Sequence, residues 1–370
     1  MLVLSPPLGG LGGIQRYTEV FVRALRDLLG PESVCVLTPM TKGIPGEKDS
    51  GALSAGSKLG IAVRALAHSL RWRPGLVLCT HVGFAPLGRL LGLLCGCPYW
   101  VSAHGIEVWV QLPGWKKAAL RHADRVLSVS EFTRGVLLQR HGLERARVVV
   151  FPNVLDERLR NTSPDEAVSS KFRDCGRPLL LTVGRLSATE RYKGHDVVLR
   201  ALPRVLERFP AATYVIVGDG KDRPRLEQLA RELRVTNHVF FAGWQDDSGL
   251  VVCYRQCDLF VLPAQTLVHD SAAKGEGFGI VFLEAMSFGK PVVGPNDGAP
   301  AEFIRDAENG LLVDPENPEE VGDAIIRLLE NPEWAAKLGD AGRQLVERNY
   351  TTGAMVRRLE QLLSSWAGKK

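Results

Sequence analysis

The sequence predicts an α/β protein made of two doubly wound domains in tandem. At 370 residues the chain is longer than a single hydrophobic core usually grows, which favours two domains. Short apolar runs alternate with longer segments of helical periodicity, a pattern typical of parallel sheets that helices cover on both faces. A polar stretch over residues 156–177 interrupts the alternation, which then begins again, so this stretch is predicted to be a linker.

The apolar runs of the first domain predict parallel strands at 2–5, 34–38, 76–80, 99–103, 126–130 and 148–151, and its periodic segments predict helices at 15–29, 58–71, 115–122 and 131–141. The same patterns in the second domain predict strands at 179–184, 213–218, 238–243, 258–263, 291–294 and 311–313, and helices at 195–209, 223–233 and 280–288. Residues 83–103 are the strongest candidate for a membrane span, but Arg89, glycines and a proline interrupt them. A buried helix and strand are therefore expected there.

The charge of the chain argues against nucleic-acid binding but is unevenly distributed. The net charge of +5 comes from 46 basic and 41 acidic side chains, a small excess for this length. Between Arg64 and Arg147, basic residues face few acids, and two interpretations stay open: contact with an anionic membrane surface or acceptor, or ordinary solvated helix faces. These basic residues are Arg71, Arg73, Arg89, Lys116, Lys117, Arg121, Arg125, Arg134, Arg140 and Arg145.

The cysteines and the N-terminus indicate the cellular compartment. The seven cysteines mostly lie in apolar runs, without the spacing of a zinc site or a disulfide framework, so reduced thiols and no bound metal are expected. The chain begins with a strand-like run rather than with a charged segment followed by a long apolar one, so no signal peptide is expected. The protein is therefore predicted to be cytoplasmic. If the basic residues of the first domain bind anionic lipid, it would contact the inner face of the membrane.

The segment from Glu276 to Glu284 contains the strongest chemical signal. It runs Glu276, Gly277, Phe278, Gly279, Ile280, Val281, Phe282, Leu283, Glu284. A glycine-flanked loop that leads into a helix is an anion site, because glycine allows close approach and the first helical amides point at the ligand. One carboxylate precedes the helix and the other lies about two turns into it, each able to accept hydrogen bonds from hydroxyl groups. This arrangement fits a sugar nucleotide, in which a diphosphate joins two polyols.

Two cations are predicted at the carboxyl end of the strand 179–184. Arg185 follows this strand directly and Lys193 precedes the next helix. Together they can stabilise a departing nucleoside diphosphate. The alternative is that both merely pair with nearby acids such as Glu190 and Asp196.

Two further features lie in the first domain. A glycine-rich turn ending in Gly12 and Gly13 opens the first helix and can cradle phosphate, but Gln15 stands where a dinucleotide-binding turn has its third glycine. The second strand also ends without a carboxylate for a ribose, and both observations count against an NAD enzyme. His104 follows the strand 99–103, where it can donate to a sugar hydroxyl or carbonyl, and His81 is a weaker candidate.

Taken together, the chain resembles the GT-B glycosyltransferases of family 4 over nearly its whole length. The resemblance rests on the order and spacing of several short motifs. They are Gly12-Gly13, Ser102-Ala103-His104-Gly105, Ser128-Val129-Ser130-Glu131, Phe151-Pro152-Asn153, Val183-Gly184-Arg185, Arg191-Tyr192-Lys193-Gly194-His195, Val217-Gly218-Asp219-Gly220, Phe241-Ala242-Gly243, Asp258 to Pro263, and Glu276 to Glu284.

The resemblance implies two Rossmann-like domains whose parallel sheets face each other across a cleft. Residues 1–157, joined by a C-terminal helix at 350–370, would bind the acceptor, and residues 158–349 would bind the nucleotide sugar. It also implies transfer of a hexosyl group with retention of configuration, without metal or other cofactor, to a glycan or lipid-linked acceptor in polysaccharide or glycoconjugate biosynthesis. GDP-mannose or a UDP-hexose is expected as the donor, by analogy with relatives that build envelope glycans.

The family roles transfer to matching positions in this sequence. Glu276 would contact the donor sugar and Glu284 the ribose, while Arg185 and Lys193 would bind the diphosphate and Gly13 would approach phosphate. The catalytic set is accordingly His104, Arg185, Lys193 and Glu276, and the donor-binding set adds Gly12, Gly13, Gly277, Phe278, Gly279, Ile280, Val281 and Glu284.

Three alternatives remain at this stage. A sugar-nucleotide epimerase and a sugar phosphorylase that needs pyridoxal phosphate share the fold class, and a non-catalytic scaffold would also keep it. The loop 264–275 before Glu276 is longer than a minimal connection, which indicates a lid, a donor-specificity loop or simple surface.

Overall fold

A computed structural model of the protein describes residues 1–8, 12–39, 52–55, 58–269 and 272–367. The chain divides into two compact units. Unit 1 comprises Met1–Asp156, His269–Ser271 and Thr351–Lys370, and unit 2 comprises Glu157–Val268 and Ala272–Tyr350.

Unit 1 contains a parallel sheet of seven strands in the order β3-β2-β1-β4-β5-β6-β7. Its strands are β1 (Leu2–Leu4), β2 (Cys35–Pro39), β3 (Ala52–Ala55), β4 (Val77–Cys79), β5 (Tyr99–Ala103), β6 (Arg125–Ser128) and β7 (Val148–Val150). Its helices are α1 (Gly13–Leu29), α2 (Lys58–Trp72), α3 (Ala85–Cys95), α4 (Ile106–Trp109), α5 (Gly114–Arg121) and α6 (Glu131–His141). The six predicted strands are all present. The edge strand β3 was not predicted, because its sequence Ala-Leu-Ser-Ala lacks β-branched and aromatic residues.

Unit 2 contains a parallel sheet of six strands in the order β10-β9-β8-β11-β14-β15. The strands of unit 2 are β8 (Leu179–Val183), β9 (Thr213–Val217), β10 (Val239–Gly243), β11 (Leu259–Val261), β12 (Leu267–Val268), β13 (Ala273–Lys274), β14 (Val292–Pro295) and β15 (Leu311–Val313). Its helices are α7 (Arg158–Asn161), α8 (Glu166–Arg173), α9 (His195–Arg208), α10 (Arg223–Glu232), α11 (Asp247–Gln256), α12 (Ile280–Ser287), α13 (Pro318–Glu330) and α14 (Pro332–Asn349). The last helix, α15 (Thr352–Ala367), belongs to unit 1, where it packs against α1.

The predicted linker over 156–177 was wrong in part, because α7 and α8 form within it. Asp165 caps α8: its Oδ1 accepts the backbone N–H groups of Ala167 and Val168 at 2.7 and 3.2 Å. Phe172 is buried and lies edge-on to Phe240, with ring centroids 5.8 Å apart. The stretch is mostly polar, so the helix was not predicted. The capping residue Asp165 and the core residue Phe172 nevertheless stabilise this short helix.

The membrane-span candidate proves to be the helix α3 followed by the strand β5, as expected from its interruptions. Within the described residues, the helices are all too short or too polar to cross a bilayer. The seven cysteines are free thiols.

Each sheet has its own hydrophobic core. In unit 1, Val3, Phe21 and Val36 pack with Met355 and Leu359 of α15. In unit 2, residues of β8 and β9 pack against α9 and α13, which lie against each other. In both sheets the first strand of the unit lies inside the sheet. The next strands are added on one side of it and the later strands on the other, so the direction of strand addition reverses there. In open parallel sheets, ligands bind at the carboxyl ends of the strands at this reversal, which lies between β1 and β4 in unit 1 and between β8 and β11 in unit 2.

Candidate active site

In unit 2, Lys193 and Glu276 meet at the reversal point of the sheet. Lys193 ends a short 3₁₀ turn between β8 and α9, and its ammonium forms an ion pair with Glu276 Oε1. The two side chains are only 11 and 16% exposed. Gly194, at φ +74°, turns the chain from Lys193 into α9. The structure therefore brings together two predicted site residues that are 83 positions apart in sequence.

Arg185 lies at the same edge, directly after Gly184 at the end of β8. Its side chain is 76% exposed, and its Nη2 lies 2.5 Å from Glu190 Oε1. The alternative drawn from the sequence, pairing with nearby acids, is thus correct for Arg185 but not for Lys193, because Asp196 pairs with Arg225 instead. Because the Arg185 side chain is largely exposed, its guanidinium remains accessible to an anionic ligand.

The loop before α12 ends in a glycine, so the helix begins without a side-chain cap. Gly279 is in the left-handed region at φ +91° and occupies the N-cap position, where it offers no side chain to the first helical amides. The backbone N–H groups of Ile280 and Val281 begin the helix there. Phe278 is buried and packs on Phe303 and Tyr350, with centroids 5.3 and 5.9 Å away. Phe278 thus anchors the loop through its ring and can face a ligand only through its backbone.

Glu284, in the second turn of α12, is held by a residue that was not predicted from the sequence. Tyr254 of α11 is fully buried, and its hydroxyl donates to Glu284 Oε2 at 2.7 Å. Burial raises the pKa of Tyr254, and the adjacent carboxylate raises it further, so the phenol stays protonated and remains a donor. The available signal was a tyrosine directly after the apolar run 250–253 of α11, a residue type that needs a partner when buried.

Replacing Tyr254 with phenylalanine is expected to raise KM for the nucleotide donor about 10-fold, with a smaller change in kcat. The hydrogen bond to the charged carboxylate is worth about 1.5 kcal/mol, and its loss would leave Glu284 less firmly oriented for donor binding. Steady-state kinetics on the variant measures this split. Tyr214→Phe is the matched control, since the Tyr214 hydroxyl donates to Thr182 Oγ1 at 2.9 Å in the same unit. Equal effects of the two substitutions on KM would contradict a specific role for Tyr254.

In unit 1, His104 is buried at the carboxyl end of β5. Its Nε2 lies 2.7 Å from the carbonyl oxygen of Thr80, so this nitrogen carries the proton and donates. Burial lowers the pKa of His104 to about 4, opposed in part by the bond to Thr80, and the ring is neutral at pH 7. Its Nδ1 is buried and has no hydrogen-bond partner among the described residues. The ring therefore offers an acceptor at Nδ1, and not the donor that was predicted from the sequence.

The surroundings of His104 fix its position. The Tyr17 ring of α1 lies edge-on to it, with centroids 5.0 Å apart, and His81 stacks at 6.3 Å. Glu107 Oε1 accepts the backbone N–H of His104 at 2.5 Å. Burial raises the pKa of Glu107, against the lowering effects of this bond and of nearby His81. Glu107 was not predicted as a site residue, since only the fold shows that its carboxylate turns back to the end of the strand.

The glycine turn of unit 1 is described from Gly12 onward, and Gly9, Gly10 and Leu11 lie outside the described residues. Gly12 is the N-cap of α1 in an extended conformation, and its carbonyl accepts from Arg16 at 3.1 Å. Gly13 is the first residue of α1, so the amino end of this helix follows the carboxyl end of β1. The contact of Gly12 and Gly13 with phosphate stays a prediction.

The long loop 264–275 forms a small hairpin, in which β12 and β13 pair antiparallel. Asp270 and Ser271 lie outside the described residues. Among the residues that the structure describes, His, Cys, Asp and Glu side chains form no group of three placed to hold a metal ion.

Comparison with known proteins places this geometry in a family. The family model for Glycosyltransferase Family 4 matches residues 11–159, and that for Glycosyl transferases group 1 matches residues 165–345. The GDP-mannose-dependent alpha-(1-6)-phosphatidylinositol monomannoside mannosyltransferase of Mycolicibacterium smegmatis is 32% identical to this chain, in an alignment that covers 95% of each protein. The chain belongs to glycosyltransferase family 4.

Other relatives agree with this assignment. The Mycobacterium tuberculosis H37Rv protein of the same description is 32% identical over 75% of this chain and 72% of its own. The Anabaena HepE protein in complex with UDP superimposes with a TM-score of 0.78 at 19% identity, over 98% of this chain and 99% of its own. Sucrose-phosphate synthase from Thermosynechococcus elongatus superimposes with a TM-score of 0.78 at 22% identity, over the whole of both chains.

The predicted glycosyltransferase activity, the GT-B fold and the use of a nucleotide-sugar donor are thereby confirmed. Membership in this family favours sugar transfer over the epimerase, phosphorylase and non-catalytic alternatives.

Proposed function

We propose that this family 4 glycosyltransferase transfers mannose from GDP-mannose to a hydroxyl group of a glycan or lipid-linked acceptor, with retention of configuration and without a metal ion. The observation that supports the chemistry is the grouping of Lys193, Glu276 and Arg185 at the carboxyl edge of the unit 2 sheet, with the amino end of α12 following Glu276. The mannosyltransferase relatives, 32% identical to this chain, support the donor. A UDP-hexose is the second candidate.

The diphosphate of the donor is proposed to bind Arg185, Lys193 and the amides of Ile280 and Val281. Negative charge grows on the diphosphate as the bond to the sugar breaks, and fixed cations and amide dipoles stabilise that charge most in a site shielded from water. Lys193 is well placed for this role, since its side chain is only 11% exposed. The amino end of α1 at Gly12 and Gly13 is proposed as a further contact with phosphate.

The two carboxylates are proposed to hold the two polyols on either side of the diphosphate. Glu276 binds hydroxyl groups of the donor sugar, for which its ion pair with Lys193 positions it beside the phosphate. Glu284 binds the ribose, and Tyr254 fixes the orientation of its carboxylate. Both residues act here as binding groups and not as nucleophiles.

Retention is proposed to follow a front-face route. The acceptor oxygen forms a bond to the anomeric carbon on the face from which the phosphate oxygen leaves, and the leaving phosphate takes the acceptor's proton. His104 is proposed to accept a hydrogen bond from a sugar hydroxyl through Nδ1, the atom without a partner among the described residues. The anomeric configuration of the product, measured by proton NMR, tests retention directly.

Unit 1 is proposed to bind the acceptor and unit 2 the nucleotide sugar. A cytoplasmic enzyme in peripheral contact with an anionic membrane is proposed as its setting, supported by the basic segment of unit 1 and by the phosphatidylinositol-linked substrates named for its relatives.

Thermal unfolding with a panel of nucleotide sugars tests the proposed donor. At 100 times its dissociation constant, a ligand that binds only the folded protein stabilises it by about 2.7 kcal/mol, so GDP-mannose is expected to raise Tm by several degrees. Lys193→Ala should lose most of this shift. A shift with a UDP-hexose alone would select the second candidate. The absence of a shift with any nucleotide sugar, together with no transfer to acceptor extracts, would contradict the proposed function.

A further inference from the structure

Helix α3 of unit 1 exposes an apolar stripe to solvent. Leu90, Leu93 and Leu94 are 49, 75 and 53% exposed, and their i, i+3, i+4 spacing places them on one face of the helix. The opposite face of α3 is also apolar, since Gly88 and Leu91 are buried against the sheet. A surface helix of a globular protein normally carries polar residues on its outer face, so this stripe needs an explanation.

The neighbouring helices α2 and α5, both of which pack on α3, extend the apolar surface. Leu59, Val63 and Leu70 of α2 are 75, 58 and 58% exposed and lie on one face, and Trp115 of α5 is 61% exposed. Of the ten exposed large hydrophobic side chains among the described residues, seven belong to these three helices. The concentration on one layer of unit 1 is typical of an interaction surface rather than of scattered surface residues.

The sequence around this surface is predominantly basic, although Asp124 lines a pocket together with Leu93 and Arg89. Residues 50–123 contain one acid, Glu107, and its carboxylate accepts the backbone N–H of His104. The same residues contain eight cations, which are Lys58, Arg64, Arg71, Arg73, Arg89, Lys116, Lys117 and Arg121. Arg64 and Arg71 are exposed and directly follow Val63 and Leu70, so they border the α2 stripe. The Lys116 ammonium lies 5.3 Å from the centroid of the Trp115 ring.

We propose that the outer faces of α2, α3 and α5 form a membrane-docking surface, whose leucines and Trp115 insert below the headgroups of an anionic bilayer while the cations contact those headgroups. Apolar side chains bordered by Lys and Arg, with a tryptophan at the boundary, match the layered chemistry of a lipid interface. This inference rests on the proposed function for its biological purpose, since it would bring unit 1 to a lipid-linked acceptor.

Charge also decides against a second copy of this chain as the occupant. A two-fold symmetric contact through this surface would bring together two copies of the same predominantly basic surface. Like charges held together at an interface oppose association, whereas anionic lipids supply the complementary charge.

Flotation with vesicles of phosphatidylglycerol and phosphatidylcholine, and with phosphatidylcholine alone, tests the proposal on the full chain. Wild-type protein is expected to partition onto the anionic vesicles at least about 10-fold more strongly. The triple variant Leu90→Gln, Leu93→Gln, Leu94→Gln should lower this partitioning about 10-fold or more without changing net charge. Arg64→Gln with Arg71→Gln should reduce the preference for anionic lipid and its salt dependence.

The matched control is Leu29→Gln on α1, where the side chain is 36% exposed but lies outside this surface. It should leave partitioning unchanged. Wild-type partitioning by the triple variant would overturn the proposal, as would a dimer in sedimentation equilibrium that the triple variant abolishes. Thermal stabilisation by GDP-mannose, measured without lipid, should be the same in the wild type and the triple variant. If GDP-mannose did not stabilise the wild type, the proposed donor would be contradicted. The flotation result would still decide the docking surface.

Discussion

Replacing Lys193 with alanine is expected to lower the rate of sugar transfer by about 100- to 1,000-fold, the range found when one preorganised group that stabilises developing charge is removed. The Lys193 side chain is only 11% exposed, so water cannot readily replace its ammonium beside the leaving diphosphate. Glu276→Ala is expected to lower turnover as well, through lost contact with the donor sugar. Rates of product formation at saturating donor, with circular dichroism to check the fold, provide the measurement.

Two comparisons separate this effect from damage to the fold. Lys337→Ala removes an exposed lysine of α14 in the same unit and should retain full activity. Each single variant of the Lys193–Glu276 pair leaves one shielded charge without its partner, which lowers stability. The double variant removes both charges and should regain stability while staying inactive. Wild-type rates in both single variants would contradict the assignment of the site.

Replacing Gly194 with alanine is expected to destabilise unit 2 by about 3 kcal/mol and to lower transfer activity with it. Gly194 has φ +74°, which costs any other residue conformational energy, and an added Cβ would lie 2.3 Å from the Pro263 carbonyl oxygen. The backbone after Lys193 and the end of β11 would have to separate. Because this approach sets the position of Lys193, the change should also displace the ammonium from Glu276. Urea unfolding with a probe in unit 2 measures the stability.

Gly289→Ala isolates the contribution of backbone strain. Gly289 has φ +71°, close to that of Gly194, but an added Cβ would meet nothing within 4 Å. This substitution should therefore cost only about 1 kcal/mol. Equal losses of stability in the two variants would show that the approach to Pro263 is unimportant.

The periodic patterns of the sequence predicted most of the fold, because strands buried on both faces leave continuous apolar runs. The same patterns failed where a partner lies far along the chain. Tyr254 pairs with Glu284 across 30 positions, and although a buried tyrosine indicates that a partner is needed, the local sequence does not identify that partner. The edge strand β3 was not predicted for a different reason: its sequence, Ala-Leu-Ser-Ala, has little β-propensity.

In the candidate site, too, local features were predictable and contacts between distant residues were not. The glycine-flanked loop and its two carboxylates were predictable, since loop and helix start are local features. The hydrogen-bonding state of His104 was not, because Thr80 fixes it from the end of another strand, 24 positions earlier. Partners of this kind are set by sheet order, which local sequence does not encode.

The position of α15 has a consequence for the order of folding during synthesis. Met355 and Leu359 of this helix are almost completely buried in the same core as Val3 and Phe21 near the start of the chain. The ribosome makes all of unit 2 before it makes α15, so unit 2 can complete its core while unit 1 still lacks part of its own. Until the last helix emerges, the apolar residues of α1 that pack against α15 in the complete chain lack this partner.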